Sequence, residues 1–343
     1  MTERATLSNS LIHRAKGDET WIELSVIITA ITDCGARQAR QLSRPRQLDK
    51  ALQAVDRSAA PNRTVALKHY LGRQFEDALQ HTPITLLACG ERESLRQINP
   101  KVRHGVVLTP LTDVGGIDAC QPIGLLFSII ETGSAGLLDI SPRTQLRAAG
   151  LISYGPQTRL YLSLGDGTLA FALDPDSRQF ELLDDRLKIP SAGTELLLDP
   201  ASYRYWSERF CRYINDRIVE DDSNSGIHWP GSLTNGLLQI LACGGVYIDP
   251  ADDRPGFSDG RNRLLFEAMP LAMLVEQAGG LASDGSQPIL DRRLHSIAQK
   301  TPLVFGSRDR VTEVTVHLTR PTSPSTRFPL FEHRGLLRSE GIS

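Results

Sequence analysis

The segment Leu108-Thr109-Pro110-Leu111-Thr112-Asp113-Val114-Gly115-Gly116-Ile117-Asp118 concentrates residues that could do chemistry. Two hydroxyls three positions apart follow an apolar run, and the glycines Gly115 and Gly116 behind them could turn backbone N–H groups toward an anion. Asp113 and Asp118 bring carboxylates to the same loop. Asp113 would repel a phosphate there, and turn-forming aspartates account for both side chains; the competing reading makes them ligands for a cation. Glu91 and Glu267 are acids from distant segments. Glu267 falls in the first turn of an expected helix, where the dipole stabilises a carboxylate with or without a metal. Arg261 and Arg263 sit together in a glycine-containing loop.

These residues need a scaffold of alternating helices and strands. Thr20-Trp21-Ile22-Glu23 has capping-box spacing and opens a helix expected to run to about Gln41. An Arg-rich, Pro-containing segment after it is expected to be looser. From Thr64 to Leu79, Leu67, Tyr70, Leu71, Phe75, Ala78 and Leu79 recur at helical spacing and place Lys68 on the adjoining face. Apolar runs at Ile84 to Cys89, Gly105 to Leu108, Ile123 to Ile130, Ala149 to Tyr154, Arg159 to Leu164 and Thr168 to Leu173 are read as strands. Gly165-Asp166-Gly167 is a hairpin signal between the last two. Beyond Pro190, Tyr203 to Arg217, Ser232 to Leu241 and Leu264 to Ala278 are expected as helices, the last stopped by Gly279-Gly280, and Gly245 to Ile248 as a strand.

Composition narrows the class. The 343 residues are 40% apolar and 23% charged, which suits a globular protein with room for two cores. No apolar run of eighteen residues occurs and the N-terminus lacks the order of a signal peptide, so neither a membrane partner nor export is expected and the location expected is cytoplasmic. A net charge of -2 offers no pull toward nucleic acid. The five cysteines are scattered, without zinc spacing, and are expected to be reduced.

The 108–118 loop resembles the Asp-Pro-Leu-Asp-Gly-Ser-Ser-Asn-Ile-Asp signature of class I fructose-1,6-bisphosphatases. Ordered matches follow over nearly the whole chain to about Ser307: Tyr154-Gly155-Pro156-Gln157-Thr158, Ser202-Tyr203-Arg204-Tyr205-Trp206, Gly244-Gly245-Val246-Tyr247, Asp259-Gly260-Arg261-Asn262-Arg263-Leu264-Leu265-Phe266-Glu267-Ala268, Glu276-Gln277-Ala278-Gly279-Gly280 and Thr301-Pro302-Leu303-Val304-Phe305-Gly306-Ser307. The resemblance implies an α/β fold, the αβαβα layered sandwich, with a phosphatase half (1–190), a sugar-phosphate-binding half (191–320) and a loosely ordered tail (321–343). It also implies a homotetramer, and Mg²⁺ ions held by several carboxylates against the phosphate, one activating water and another the leaving oxygen.

Against that pattern the metal positions are depleted. Lys68 stands where the family has a helix aspartate, Gly90 where it has the first of two glutamates, and Thr109 and Thr112 where it has the loop aspartates. Glu91 and Glu267 are the residual matching ligands. Two isolated carboxylates make a poor cage for Mg²⁺, and a lysine ammonium opposes a divalent ion; Lys68 itself is a candidate for the vacated cation position, paired with Glu91 and Glu267. Tyr203 and Arg261 match positions that contact the distal phosphate of the sugar, with Tyr203 equally suited to packing and Arg263 assigned a structural role. Asp199, His228, Trp229 and Asp249 replace Asn, Arg, Tyr and Tyr, which weakens the positive field for a second phosphate.

Two readings of function follow. One is hydrolysis of the 1-phosphate of fructose 1,6-bisphosphate in gluconeogenesis or the Calvin cycle. The other is a non-catalytic homologue that joins or regulates an active tetramer or senses a sugar phosphate. An inositol-phosphatase-like activity needs the same missing aspartates and is disfavoured.

Overall fold

Period-two alternation with both faces buried builds the inner strands of the first sheet. Its strands are β1 (Leu86–Cys89), β2 (Ser94–Gln97), β3 (His104–Thr112), β4 (Ile123–Glu131), β5 (Leu146–Tyr154), β6 (Arg159–Ser163), β7 (Thr168–Leu173) and β8 (Phe180–Asp184). They lie in the order β2-β1-β3-β4-β5-β6-β7-β8, with β1 and β3 parallel and the other neighbours antiparallel. Val106, Leu108, Leu125, Phe127 and Ile152 face one helical layer, while Val107, Leu126, Ala149 and Leu151 face the other. The computed structural model describes residues 5–53, 62–90, 94–112, 117, 121–132, 137–138, 140–220 and 226–319.

The outer layer on this sheet is α1 (Leu7–Arg14), α2 (Glu19–Leu42), α3 (Pro45–Gln53) and α4 (Arg63–Leu79). A short helix, α5 (Pro142–Gln145), precedes β5. The remaining helices are α6 (Glu208–Glu220), α7 (Leu233–Cys243), α8 (Met269–Gln277) and α9 (Arg308–Thr319). A second sheet joins β9 (Leu196–Leu197), β10 (Ile227–His228), β11 (Val246–Asp249), β13 (Leu281–Ser283) and β15 (Leu303–Gly306) in the order β10-β9-β11-β15-β13. A small ribbon pairs β12 (Asn262–Arg263) with β14 (Lys300–Thr301). α7 and α8 lie between the two sheets, with Leu237, Ile240, Leu271, Leu274 and Val275 in one shared core. Phe210 and Ile214 of α6 and Val311 and Val314 of α9 cover the far side of the second sheet. The result is an αβαβα sandwich, as the family resemblance implies.

Local chemistry moves several boundaries. The cap of α2 is Asp18, whose carboxylate accepts the Thr20 N–H at 2.9 Å, so Thr20 lies inside the helix and Glu23 is free to pair with His104. The segment expected to be loose contains α3, anchored by Leu48 and Leu52. β3 continues four residues past Leu108; Pro110 has no N–H for the ladder, and the register with β4 shifts between Thr109 and Thr112. The helix expected from Tyr203 begins as a 3₁₀ turn, Pro200–Tyr205, capped by Asp199, and breaks before α6. That expected from Leu264 begins as a π turn, Leu264–Ala268. Gly165 and Gly167 hold φ of +96° and +124° in the β6–β7 hairpin, and Gly279 ends α8 at +87°. Among the described residues no helix is long and apolar enough to cross a membrane.

Candidate active site

Gly90 extends β1 beside β3, its N–H reaching the Leu108 carbonyl at 2.8 Å. The π turn brings Glu267 to the same place, and β12 brings Arg263 one turn ahead of it. The Glu267 carboxylate accepts the Arg263 backbone N–H at 2.8 Å, Nη2 at 2.9 Å and Nε at 3.3 Å. Arg263 Nη1 donates to the Gly90 carbonyl at 2.6 Å, and the guanidinium lies over the Phe266 ring, 5.0 Å from its centroid. Both charged side chains are 19% exposed. The Arg–Glu spacing of four residues makes the pair local. A glycine at position 90 gives the guanidinium its room, since a Cβ there would stand 2.8 Å from Nη1.

Thr109 and Thr112 turn their hydroxyls into the fold. Thr109 Oγ1 donates to the Phe266 carbonyl at 3.0 Å, a bond that residue 270 cannot supply because Pro270 has no N–H. Thr112 Oγ1 reaches the Gly124 carbonyl at 3.2 Å and Thr234 Oγ1 of α7 at 2.5 Å. Both threonines are buried, at 1% and 5% exposure. Lys68 lies on α4, half-buried, one turn before Gly72; a Cβ on Gly72 would stand 3.5 Å from Pro110, so this face of the helix runs along the loop strand. Glu91, Gly115 and Gly116, with Asp113 and Asp118, lie outside the described residues.

The second group of candidates surrounds Arg261. Its Nε donates to Asp249 Oδ1 at 3.0 Å, its Nη2 bonds the same oxygen, and Asp199 stands 3.9 Å from Nη1. Asn262 Nδ2 holds the other Asp249 oxygen at 2.8 Å. Burial works against the Arg261 charge, but the bond and charge of Asp249 outweigh it and hold the guanidinium above its usual range. Tyr203 donates its hydroxyl to Asn215 Oδ1 at 2.9 Å and packs edge-on against Trp206. His228 faces Glu195 at 3.2 Å, and Trp229 is 70% exposed.

The class 1 fructose-1,6-bisphosphatase of Rhodopseudomonas palustris (strain TIE-1) is 35% identical over 266 residues, covering 76% of this chain and 77% of that one. Its counterpart in Azorhizobium caulinodans is 39% identical over 252 residues, covering 70% and 76%. This chain belongs to the class 1 fructose-1,6-bisphosphatase family. The family model described as the fructose-1-6-bisphosphatase C-terminal domain matches residues 189–319. Leishmania major fructose-1,6-bisphosphatase in holo form shares the fold at a TM-score of 0.83, with 23% identity over 93% of this chain and 100% of that one.

Within the fructose-1,6-bisphosphatase fold, the described donors do not fit a divalent ion. Mg²⁺ requires several oxygen ligands in near-octahedral array, and no group of three His, Cys, Asp or Glu side chains converges among the described residues. The residual ligand Glu267 is bonded to Arg263, and the two threonines at the aspartate positions are bonded to the fold. Lys68 was the expected cation for Glu91 and Glu267; Glu91 lies outside the described residues, and the cation in contact with Glu267 is Arg263. Sequence reasoning assigned Arg263 only a structural role. The signal was available in two places, the spacing of four between Arg263 and Glu267 and the missing side chain at Gly90, but their meeting across 173 positions in the sequence is a product of the fold.

Proposed function

We propose that this chain is a non-catalytic member of the fructose-1,6-bisphosphatase family, which holds a sugar phosphate in the cytoplasm without hydrolysing it and assembles as a family-type tetramer, alone or with an active paralogue. The observation that carries this reading is the burial of the Thr109 and Thr112 hydroxyls in bonds to the Phe266 and Gly124 carbonyls. A neutral hydroxyl already donating inward is a weak ligand for Mg²⁺, which gives up its water reluctantly. Gly115 and Gly116 are the proposed backbone donors to the phosphate, Arg261 the proposed side-chain contact, and Glu91 with Glu267 the remnant of the metal site.

Kinship favours a second reading, Mg²⁺-dependent hydrolysis of the 1-phosphate of fructose 1,6-bisphosphate, since the curated relatives carry that name at 35% to 39% identity. Phosphate release from fructose 1,6-bisphosphate with Mg²⁺ separates the two. The wild-type chain is expected to be inactive, and a variant carrying Lys68→Asp, Gly90→Glu, Thr109→Asp and Thr112→Asp to gain turnover. Chelator-sensitive turnover by the wild type overturns the non-catalytic reading.

A further inference from the structure

We propose that Arg263 is the resident cation of this site and that the absence of a side chain at residue 90 is what admits it. The proposal deepens the non-catalytic reading and rests on it for its functional meaning, while its geometry stands alone. The guanidinium is held on three sides. Nη1 meets the Gly90 carbonyl, Nη2 and Nε meet Glu267, and the flat face lies on Phe266. These contacts use the planar fork of an arginine, which a lysine ammonium cannot reproduce.

Position 90 is the gate. Gly90 is buried, and a Cβ built on it would lie 2.8 Å from Nη1, 3.1 Å from Nη2 and 3.2 Å from Cζ, so any larger residue must push the guanidinium away from the Gly90 carbonyl. Its φ is not positive, so alanine introduces no backbone strain, and the three atoms nearest to its Cβ all belong to Arg263. A glutamate there would compete twice, by bulk and by offering a second carboxylate. Glycine at 90 and arginine at 263 are thus one device: the first vacates the space, and the second supplies a fixed positive charge that belongs to the chain itself and needs no ion from solution.

A double-mutant cycle on the full chain tests this. Gly90→Ala is expected to lower Tm by about 2–4 °C when Arg263 is present, and to have almost no effect in an Arg263→Met background, where an apolar stem still covers Phe266. Equal shifts in the two backgrounds overturn the proposal. The wild-type chain supplies a second readout should Arg263→Met fail to fold. The Arg263 Nε–H resonance, assigned by its loss in Arg263→Lys, is expected to exchange slowly with water and to become fast in Gly90→Ala. Fast exchange in the wild type also overturns the proposal. Wild-type phosphatase activity alongside a non-additive cycle would sink the functional reading and leave this one standing; an inactive wild type with an additive cycle would do the reverse.

Discussion

Returning an aspartate to position 109 is expected to damage the protein before it helps any chemistry. Thr109 is 1% exposed, and its hydroxyl is a donor to the Phe266 carbonyl in the stretch where Pro270 can give none. Thr109→Val keeps the shape and deletes that donor, so a buried carbonyl loses a partner at a cost of about 1–3 kcal/mol. Thr109→Asn keeps an N–H donor and should cost less. Thr109→Asp is the worst of the three at neutral pH, because an ionised carboxylate faces a carbonyl oxygen at hydrogen-bond distance in a buried site, and leaving a buried charge unpaired costs about 3–5 kcal/mol. Its sign with pH also follows. Burial beside an acceptor favours the protonated acid, which can donate to the Phe266 carbonyl, so the native pKa of the new carboxyl lies above the unfolded value and the deficit shrinks as pH falls. Urea unfolding of the three variants at pH 7.5 and pH 5.0, with and without Mg²⁺, measures all of this. The reasoning fails if Thr109→Asp is as stable as wild type at pH 7.5, or if Mg²⁺ restores its stability, since either result means that the pocket seats the charge or the ion unaided.

Two further outcomes are expected. His104 is fully buried on β3, with Nδ1 at 2.9 Å from Glu23 and Nε2 without a partner; burial lowers its pKa below 6.5 against the opposing pull of Glu23 and Glu131. The unfolded chain therefore binds the proton more readily, and stability should be level above about pH 6.5 and fall below it; denaturation midpoints from pH 8 to 5 should show a weaker acid dependence in His104→Gln, and identical profiles would remove His104 from the account. Asp249→Asn releases Arg261 from its carboxylate, and calorimetry with fructose 1,6-bisphosphate should show affinity rising by about tenfold, the equivalent of about 1.4 kcal/mol; unchanged affinity would exclude Arg261 from the binding surface.

The sequence carried six of the eight strands of the first sheet because those six have a mostly buried apolar run, whereas β2 is exposed over 95–97 and β8 is only partly buried, so neither showed such a run. β7 falls on Thr168–Leu173 as the pattern predicts, and the glycines of its hairpin take the positive φ that only they adopt readily. α3 was obscured because its surface is charged and only Leu48 and Leu52 face inward. The π turn was hidden because its sequence, Leu-Leu-Phe-Glu-Ala, is good helix, and the widening is felt only through the hydrogen-bond pattern. At the site, residue types were legible and partners were not. Lys68, adjacent in type to a lost aspartate, drew attention as a cation, whereas Arg263 was already a family-pattern residue and gave no sign of change. What had changed was its neighbour.

Four of the substitutions at the site, Gly90, Thr109, Thr112 and Asp249, are matched by a bond within the fold, which is the physical support for the non-catalytic reading proposed above. A bare loss of carboxylates would leave Arg261 without Asp249 and the Phe266 carbonyl without the Thr109 hydroxyl, two costly losses in buried or half-buried positions. Instead Glu267 and the Gly90 carbonyl hold Arg263, Asp249 with Asn262 holds Arg261, and Thr109 serves the carbonyl. Two of these partners, Thr109 and Asp249, are residues in which the chain departs from the family pattern, and a third contact depends on Gly90, which also departs from it. The same atoms that make the site poor for metal therefore make the metal-free fold complete, and reversing any one of them alone should cost stability before it returns function.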